Sequence, residues 1–292
     1  MKLTCQSEVG KIDSVFIKRV DDAFVDNEKI SKEWEALNYL GRPDIEIAKE
    51  EYGNFEAVLR SCGVGLSYFP QDASVSLDSL YCRDASLVTD HGMIICNMGK
   101  PARANEPSAQ KKVFEKLGFR ILGSIQSPGT IEGGDVVWLD EQTLAVGYSY
   151  RSNAAGIDQL KGLLSPLGIT VVTVPLPHYR GPADVFHLMS ILSPVDHDLV
   201  VVYSPLMPIV FRNELLERGY RFVEVPKEEF DTMAANVLSV APRKCIMLSG
   251  NTKTRHALEK AGCTVLEYEG EEISIKGGGG PTCLTRPMWR QV

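Results

Sequence analysis

Cys283 follows an uninterrupted glycine run, Gly277-Gly278-Gly279-Gly280, with only Pro281 and Thr282 between. Residues without side chains, with positive φ open to them, let the backbone crowd a bound molecule and leave a neighbouring thiol uncovered. A thiol so placed is a candidate nucleophile. A flexible linker with an incidental cysteine fits the same letters, although linkers seldom run into an apolar, Trp-containing segment such as 284–289. An imidazole that could serve the thiol stands in Val185-Phe186-His187-Leu188-Met189, where a buried ring would need partners. The other histidines, His91, His178, His197 and His256, fall at turns, a loop or an exposed helix face. Candidate acids are Asp78 and Asp84 in Asp78-Ser79-Leu80-Tyr81-Cys82-Arg83-Asp84, and Glu132 in Glu132-Gly133-Gly134-Asp135. Taken singly each has an ordinary reading: an Asp ahead of a strand is usually a turn former, and a lone His more often packs in the core or meets solvent.

These residues occupy equivalent points of a repeated pattern. The first round has a strand at 12–18, an irregular polar stretch, an amphipathic helix at 44–60 and a strand at 64–69. The second has strands at 81–88 and 93–98 around a turn at 90–92, a helix at 108–117 and a strand at 119–122. The third has a hairpin of 135–139 and 143–147, a helix at 154–164 and a strand at 170–174. The fourth has strands at 186–193 and 199–203 around a turn at 194–198, a helix at 213–218 and a strand at 221–225. The fifth has strands at 236–240 and 244–248, a helix at 253–261 and a strand at 263–268. Gly63, Gly118, Gly168, Gly219 and Gly262 stand where the helices should be capped, the third after a Ser-Pro interruption.

A ββαβ unit repeated five times cannot bury its faces one unit at a time, so the units should pack around an axis. The segment 282–289 would supply the strand missing from the first unit by pairing with 12–18, closing a ring. The expected fold is therefore α/β, a five-bladed β/α-propeller. A doubly wound sheet would lack the hairpins, and its Gly-x-Gly-x-x-Gly fingerprint is absent. In such a ring the strand ends converge on the axis and bring Asp78, Asp84, Glu132, His187 and Cys283 together.

With 292 residues, 44% of them hydrophobic, the chain can bury a large core as one big domain or two modest ones. A net charge of −7 and the lack of a basic cluster disfavour nucleic acid and suit a small cation. The start, Met1-Lys2-Leu3-Thr4, leads into charged sequence, and no apolar run approaches the ~18 residues of a membrane span, so a cytoplasmic location without membrane partners is expected. Seven cysteines at wide spacings, without C-x-x-C, indicate neither a disulfide framework nor a zinc site. Cys96 and Cys245 read as small buried hydrophobes inside strand patterns.

Arg83-Asp84, Glu132-Gly133-Gly134-Asp135, the stretch from Gly147 to Asn153, His187-Leu188 and the glycine run to Cys283 together resemble the guanidino-group-modifying enzymes. That superfamily includes dimethylarginine dimethylaminohydrolases, arginine deiminases and amidinotransferases on the five-bladed fold, and the likeness spans 1–292 as one domain. It implies that Cys283 is the nucleophile, His187 the general acid and base, and Glu132 a carboxylate beside both histidine and substrate. It further implies that Asp84 pairs with a guanidinium, that Asp78 meets an α-amino group, and that Arg103 and Arg151 clamp a carboxylate. No metal or organic cofactor is implied; the partner is a small guanidino amino acid, and a homodimer is left open.

The chemistry suits those residue types, because a delocalised guanidinium carbon is a poor electrophile that must be held by carboxylates and attacked by a strong nucleophile. Substrate charge and His187 are each expected to lower the thiol pKa from ~8.5 toward neutrality. Two positions bear on the substrate. Deiminases and amidinotransferases carry an acid two residues after the histidine; Met189 stands there, as a non-acid does in the dimethylarginine hydrolases, and would tolerate N-methyl groups. Arg83, by contrast, follows the deiminase pattern. Hydrolysis of a substituted arginine is the first expectation, arginine deimination the second and amidino transfer the third. A similar architecture in ribosome-associated initiation factors lacks this chemistry, so the side chains, and not the fold, mark an enzyme.

Overall fold

Five small sheets carry the chain in a computed structural model that describes residues 2–292. Blade 2 pairs Ser86–Thr89 antiparallel with Gly92–Ile95, which runs parallel to Ile121–Ser124. Blade 3 repeats this with Val136–Asp140, Thr143–Tyr148 and Thr170–Pro175, blade 4 with Leu192–Asp196, Leu199–Val202 and Arg221–Glu224, and blade 5 with Leu238–Ala241, Lys244–Leu248 and Thr264–Tyr268. A hairpin makes each antiparallel pair, but a parallel pair needs a crossover. The helices Glu106–Lys116, Ala154–Leu164, Ile209–Glu217 and Thr252–Lys260 supply it. After each, Gly118, Gly168, Gly219 and Gly262, like Gly63 in blade 1, turn the chain at φ between 75° and 90°, which a Cβ would oppose.

Blade 1 is assembled from both ends of the chain. Arg286–Gln291 lies antiparallel to Lys11–Ile17, which runs parallel to Gly65–Tyr68, and Leu3–Thr4 flanks the C-terminal strand. The last strand thus pairs with the first as the sequence predicts, although it runs over Arg286–Gln291 rather than 282–289, whose first residues form the turn that carries Cys283. Its crossover helix, Ile45–Ser61, begins where Asp44 accepts from the backbone N–H groups of Glu46 and Ile47, a cap whose loss costs about 1 kcal/mol. Ile45, Ala48, Tyr52, Phe55 and Leu59 form its buried stripe. Phe55 packs on Tyr268 of blade 5, and truncating it to Ala should cost roughly 3–5 kcal/mol.

Burial falls from axis to rim. Ser86–Thr89 is wholly buried and Val136–Asp140 nearly so, whereas Ile121–Ser124 and Gly65–Tyr68 have no buried residue. Polar side chains placed just ahead of the inner strands are therefore held in a protected centre. Among the described residues no helix is long and apolar enough to cross a membrane.

Three local expectations change. The stretch 19–43 is not irregular throughout, since Val20–Ala23 and Asn27–Glu33 are helical, the second capped by Asp26 accepting from Lys29 N–H. The strands expected at 81–88 and 186–193 begin only at Ser86 and Leu192, and 3₁₀ turns at Leu77–Leu80 and Leu188–Ser190 come before them. Backbone groups there bond across blades instead: Arg83 N–H donates to Cys283 O at 3.2 Å and Gly133 N–H to Asp84 O at 2.9 Å. Pro194, expected in a turn, sits inside the strand where the register shifts, a place that tolerates its missing N–H.

Candidate active site

Each blade sends one polar side chain toward the centre from the residues just ahead of its inner strand. Asp84 precedes Ser86, Glu132 precedes Val136, His187 precedes Leu192, Asn236 precedes Leu238 and Cys283 precedes Arg286. Four of the five are legible as candidates in the sequence. Asn236 is not, because an Asn before a strand looks like a turn former; its equivalence to the other four would have found it. Asn236 Nδ2 lies 3.4 Å from Cys283 Sγ, and its Oδ1 accepts from Thr282 N–H and Oγ1–H at 3.1 and 2.9 Å. It therefore fixes the turn that carries the thiol and also touches the sulfur.

The glycine run has a more specific reason than freedom near a ligand. A Cβ on Gly277 or Gly279 would overlap the ring of Tyr81, and one on Gly280 would overlap Asn236. Gly278 alone of the four takes a positive φ, 77°. The run is thus crowded against the protein's own side chains, and that packing sets the path into Cys283. The thiol is half-buried in a cavity of about 460 Å³ whose other lining residues include His187, Met189, Asn236, Arg180 and Lys276. All seven cysteines are free.

His187 is held from three sides. Its Nε2 is 2.8 Å from Glu132 Oε2, and Gly134 leaves room beneath the ring, since a Cβ there would overlap His187 Nδ1. Asp135 accepts from Leu188 N–H at 3.0 Å and from Ser149 Oγ–H at 2.6 Å, which anchors the turn after the histidine. Burial opposes the imidazolium, but Asp135, Asp84 and Glu132 override it and raise the His187 pKa to about 9. Burial also opposes the Glu132 carboxylate, and the hydrogen bond and charge of His187, with Arg151, hold it well below the usual carboxylate range. Asp135 is pushed up to about 6 by burial. At neutral pH the pair is an imidazolium bonded to a carboxylate.

The thiol departs from expectation. Burial first and Asp84 second push the Cys283 pKa up, while donation from Thr282 and Asn236 opposes the rise. In the free protein Cys283 is accordingly a protonated thiol beside an already charged histidine. Asp84 and a positive charge brought by a ligand would act on the sulfur in opposite directions.

Asp84, Asp78, Arg103 and Arg151 are all buried. Asp84 Oδ1 accepts from Gly134 N–H at 2.8 Å and its Oδ2 from Arg103 Nη1 at 2.5 Å. Arg103 also forks onto Glu106 at 2.9 and 2.8 Å and donates to Tyr81 O at 2.9 Å. Burial nevertheless lifts Glu106 to about 7. Asp78 pairs with Lys100 Nζ at 2.6 Å, a partner that nothing in the sequence pattern marks. Arg151 Nη1 lies 3.3 Å from Glu132 Oε2. Neither Arg103 nor Arg151 lines the cavity, and each bonds to internal acids, so neither presents the free clamp expected for a carboxylate; Asp84, Asp78 and Glu132 do not line it either. Arg83 is also absent from the wall; its Nη2 is 2.7 Å from Glu8.

Donor atoms of Asp84, Glu132 and His187 lie within 4.8 Å of one another, close enough for a metal ion. Each is already engaged: Asp84 by Arg103, and Glu132 by His187 and by Lys100 N–H at 2.9 Å. The group suits holding a cation and moving a proton.

The family model described as N,N dimethylarginine dimethylhydrolase, eukaryotic, matches residues 21–290. An N(G),N(G)-dimethylarginine dimethylaminohydrolase (DDAH) of Streptomyces coelicolor is 30% identical over 211 residues, covering 71% of this chain and 73% of that one. The enzyme of the same name from Pseudomonas aeruginosa is 27% identical over 248 residues, covering 85% and 91%. A solved structure of DDAH from Pseudomonas aeruginosa, a serine-for-cysteine mutant complexed with citrulline, superposes with a TM-score of 0.76 at 23% identity, covering 94% of this chain and 98% of that one.

Proposed function

The chain belongs to the N,N dimethylarginine dimethylhydrolase family, and from that premise we propose that it hydrolyses the guanidinium of an N-substituted arginine to citrulline and an amine. What supports this reading most is that Cys283 and His187 face one cavity while Glu132 holds the imidazole at 2.8 Å. The proposed unit is the whole of 1–292, since the nucleophile comes from the ring-closing segment and its partners from three other blades.

The cationic substrate enters the cavity at Cys283 and His187; its guanidinium pairs with Asp84 and its α-amino group with Asp78 by displacing Arg103 and Lys100, which hold those carboxylates off the cavity lining in the free protein. Its charge offsets the effect of Asp84 on the sulfur, so the thiol loses its proton to solvent as the guanidinium seats. The thiolate attacks the guanidinium carbon to give a tetrahedral adduct. His187, already protonated, donates its proton to the substituted nitrogen, the C–N bond breaks, and the amine leaves with an amidino-thioether on Cys283. Neutral His187 then takes a proton from water, whose oxygen adds to the same carbon. The C–S bond breaks, thiolate is regenerated and citrulline departs. Glu132 acts by holding the imidazole and its charge, Arg151 keeps that carboxylate ionised, and Met189 offers methyl groups an apolar wall with no acid to be left unpaired.

The test is to incubate the protein separately with arginine, monomethylarginine and dimethylarginine and to identify the ureido and amine products. Citrulline with dimethylamine, formed faster than citrulline with ammonia, is expected. Ammonia from arginine as the dominant activity would replace this reading with deimination, and the absence of a ureido product from all three would end it.

A further inference from the structure

A second cleft, of about 220 Å³, opens between blade 1 and the crossover helix of blade 2, and the proposed reaction does not use it. Glu106, Ala109, Gln110 and Val113, one face of the helix Glu106–Lys116, line one side. Phe69, Pro70 and Val75, which follow the strand Gly65–Tyr68, line another. Lys18, the first residue after the strand Lys11–Ile17, lines the same cleft.

Lys18 is only 4% exposed, yet among the described residues no acid or carbonyl accepts a hydrogen bond from its ammonium. Lys29, nearby and less buried, shows the usual remedy, donating to Ala23 O and Val75 O at 2.8 and 3.0 Å. Burial pulls the Lys18 pKa down, and Glu106 opposes that fall only in part. The orphaned nitrogens of Arg83 and Arg290 are sealed in the interior, whereas that of Lys18 is not, so it opens onto the cleft. The acids of the wall are engaged: Glu106 holds Arg103 at 2.9 and 2.8 Å, and Asp72 accepts from Ser74 N–H and Oγ–H at 2.9 and 2.6 Å. Lys112 and Lys116, the exposed cations of the wall, form no ion pair among the described residues. An arriving anion thus meets three unpaired ammonium groups, and the buried one regains the partner that it lost on leaving water.

The rest of the wall selects what carries the anion. An apolar cavity of about 150 Å³ holds benzene, so 220 Å³ takes a ring or short chain together with a carboxylate. Phosphate would bring a second negative charge toward Glu106 and leave Phe69, Val75, Ala109 and Val113 uncovered. We infer that this cleft binds a small monocarboxylate with an apolar body, its carboxylate paired with Lys18 and its body laid between Phe69 and Val113.

Calorimetric titration of the full chain with phenylacetate, its neutral amide and inorganic phosphate tests this. Phenylacetate should bind saturably, with the amide and phosphate weaker by about tenfold or more, the scale of one hydrogen bond to a charged group. Lys18→Met, which keeps the stem and removes the charge, should weaken phenylacetate by the same factor. The cavity at Cys283 has cations of its own in Arg180 and Lys276, so crystals soaked in 4-bromophenylacetate decide between the two places. The bromine anomalous peak should lie between Phe69 and Val113. Absence of saturable binding, equal affinity for acid and amide, or a bromine peak only beside Cys283 would overturn the site, and the crystals need no variant to fold. Neither readout uses turnover, so failure of the proposed activity would leave this result intact and the reverse.

Discussion

Two clusters of buried charge occupy the centre of one ring and differ in sign and in completeness. Around His187, five carboxylates, Asp78, Asp84, Glu106, Glu132 and Asp135, meet four cationic groups, Lys100, Arg103, Arg151 and the imidazolium, and each is hydrogen-bonded. Around Arg83, the guanidinium groups of Arg83, Arg286 and Arg290 meet Glu8 and leave donors without acceptors. The first pairs its acids with internal cations, whereas the second leaves positive charge in excess. Burial alone sets neither: it opposes the His187 charge, yet the surrounding acids raise that pKa to about 9.

The same reasoning gives a pH window for stability. His187 has a folded pKa near 9 against ~6.5 unfolded, so its contribution is full below ~6.5 and is lost as pH rises through about 9. Glu132, depressed on folding, contributes above ~4.3 and loses that contribution as pH falls below its unfolded value. The pair stabilises most between those limits.

Removing the sulfur should separate chemistry from structure most sharply. Cys283→Ser is expected to cut product formation by at least about a thousandfold with Tm unchanged, because the nucleophile is lost and the packing is not; retained turnover would remove the proposed nucleophile. Glu132→Gln comes next, with kcat down about a hundredfold and the high-pH limb of the rate, expected near 9, moved to lower pH. A limb that stays put would show that other acids hold the imidazolium. Met189→Asp should favour unmethylated arginine over dimethylarginine by about tenfold, the scale of one charged hydrogen bond, and equal selectivity before and after would clear this side chain of any role in choosing substrate. The smallest effect belongs to Asn236→Ala, about fivefold in kcat/KM. Loss of its donor should also move the pH midpoint of iodoacetamide alkylation upward, and an unmoved midpoint would reduce Asn236 to holding the turn.

The repeat was readable because each unit obeys local rules: hairpin, amphipathic helix, glycine cap, parallel strand. Helix 154–164 and the strand 244–248 appear at their expected limits. The segments before the inner strands of blades 2 and 4 were misread as strand, because their backbone groups find partners in other blades and leave no periodic trace. Arg103 and Arg151 were expected to clamp a carboxylate and instead bond to internal acids, because a sequence cannot say whether a guanidinium faces a cavity or a buried acid. Lys100 and Asn236 carried no local signal at all.

The amino-acid order by itself determined the number of units and the closure of the ring by the last strand, and it marked the thiol, the imidazole and the acids as candidates. Only the folded chain decided their ionisation, because a pKa depends on distances between groups from different blades. It leaves Cys283 protonated and His187 charged, the reverse of what the free side chains would suggest for the imidazole at neutral pH. It also turned three of the four glycines, Gly277, Gly279 and Gly280, into a packing requirement of Tyr81 and Asn236, residues far away in sequence that meet the run only once the ring is closed.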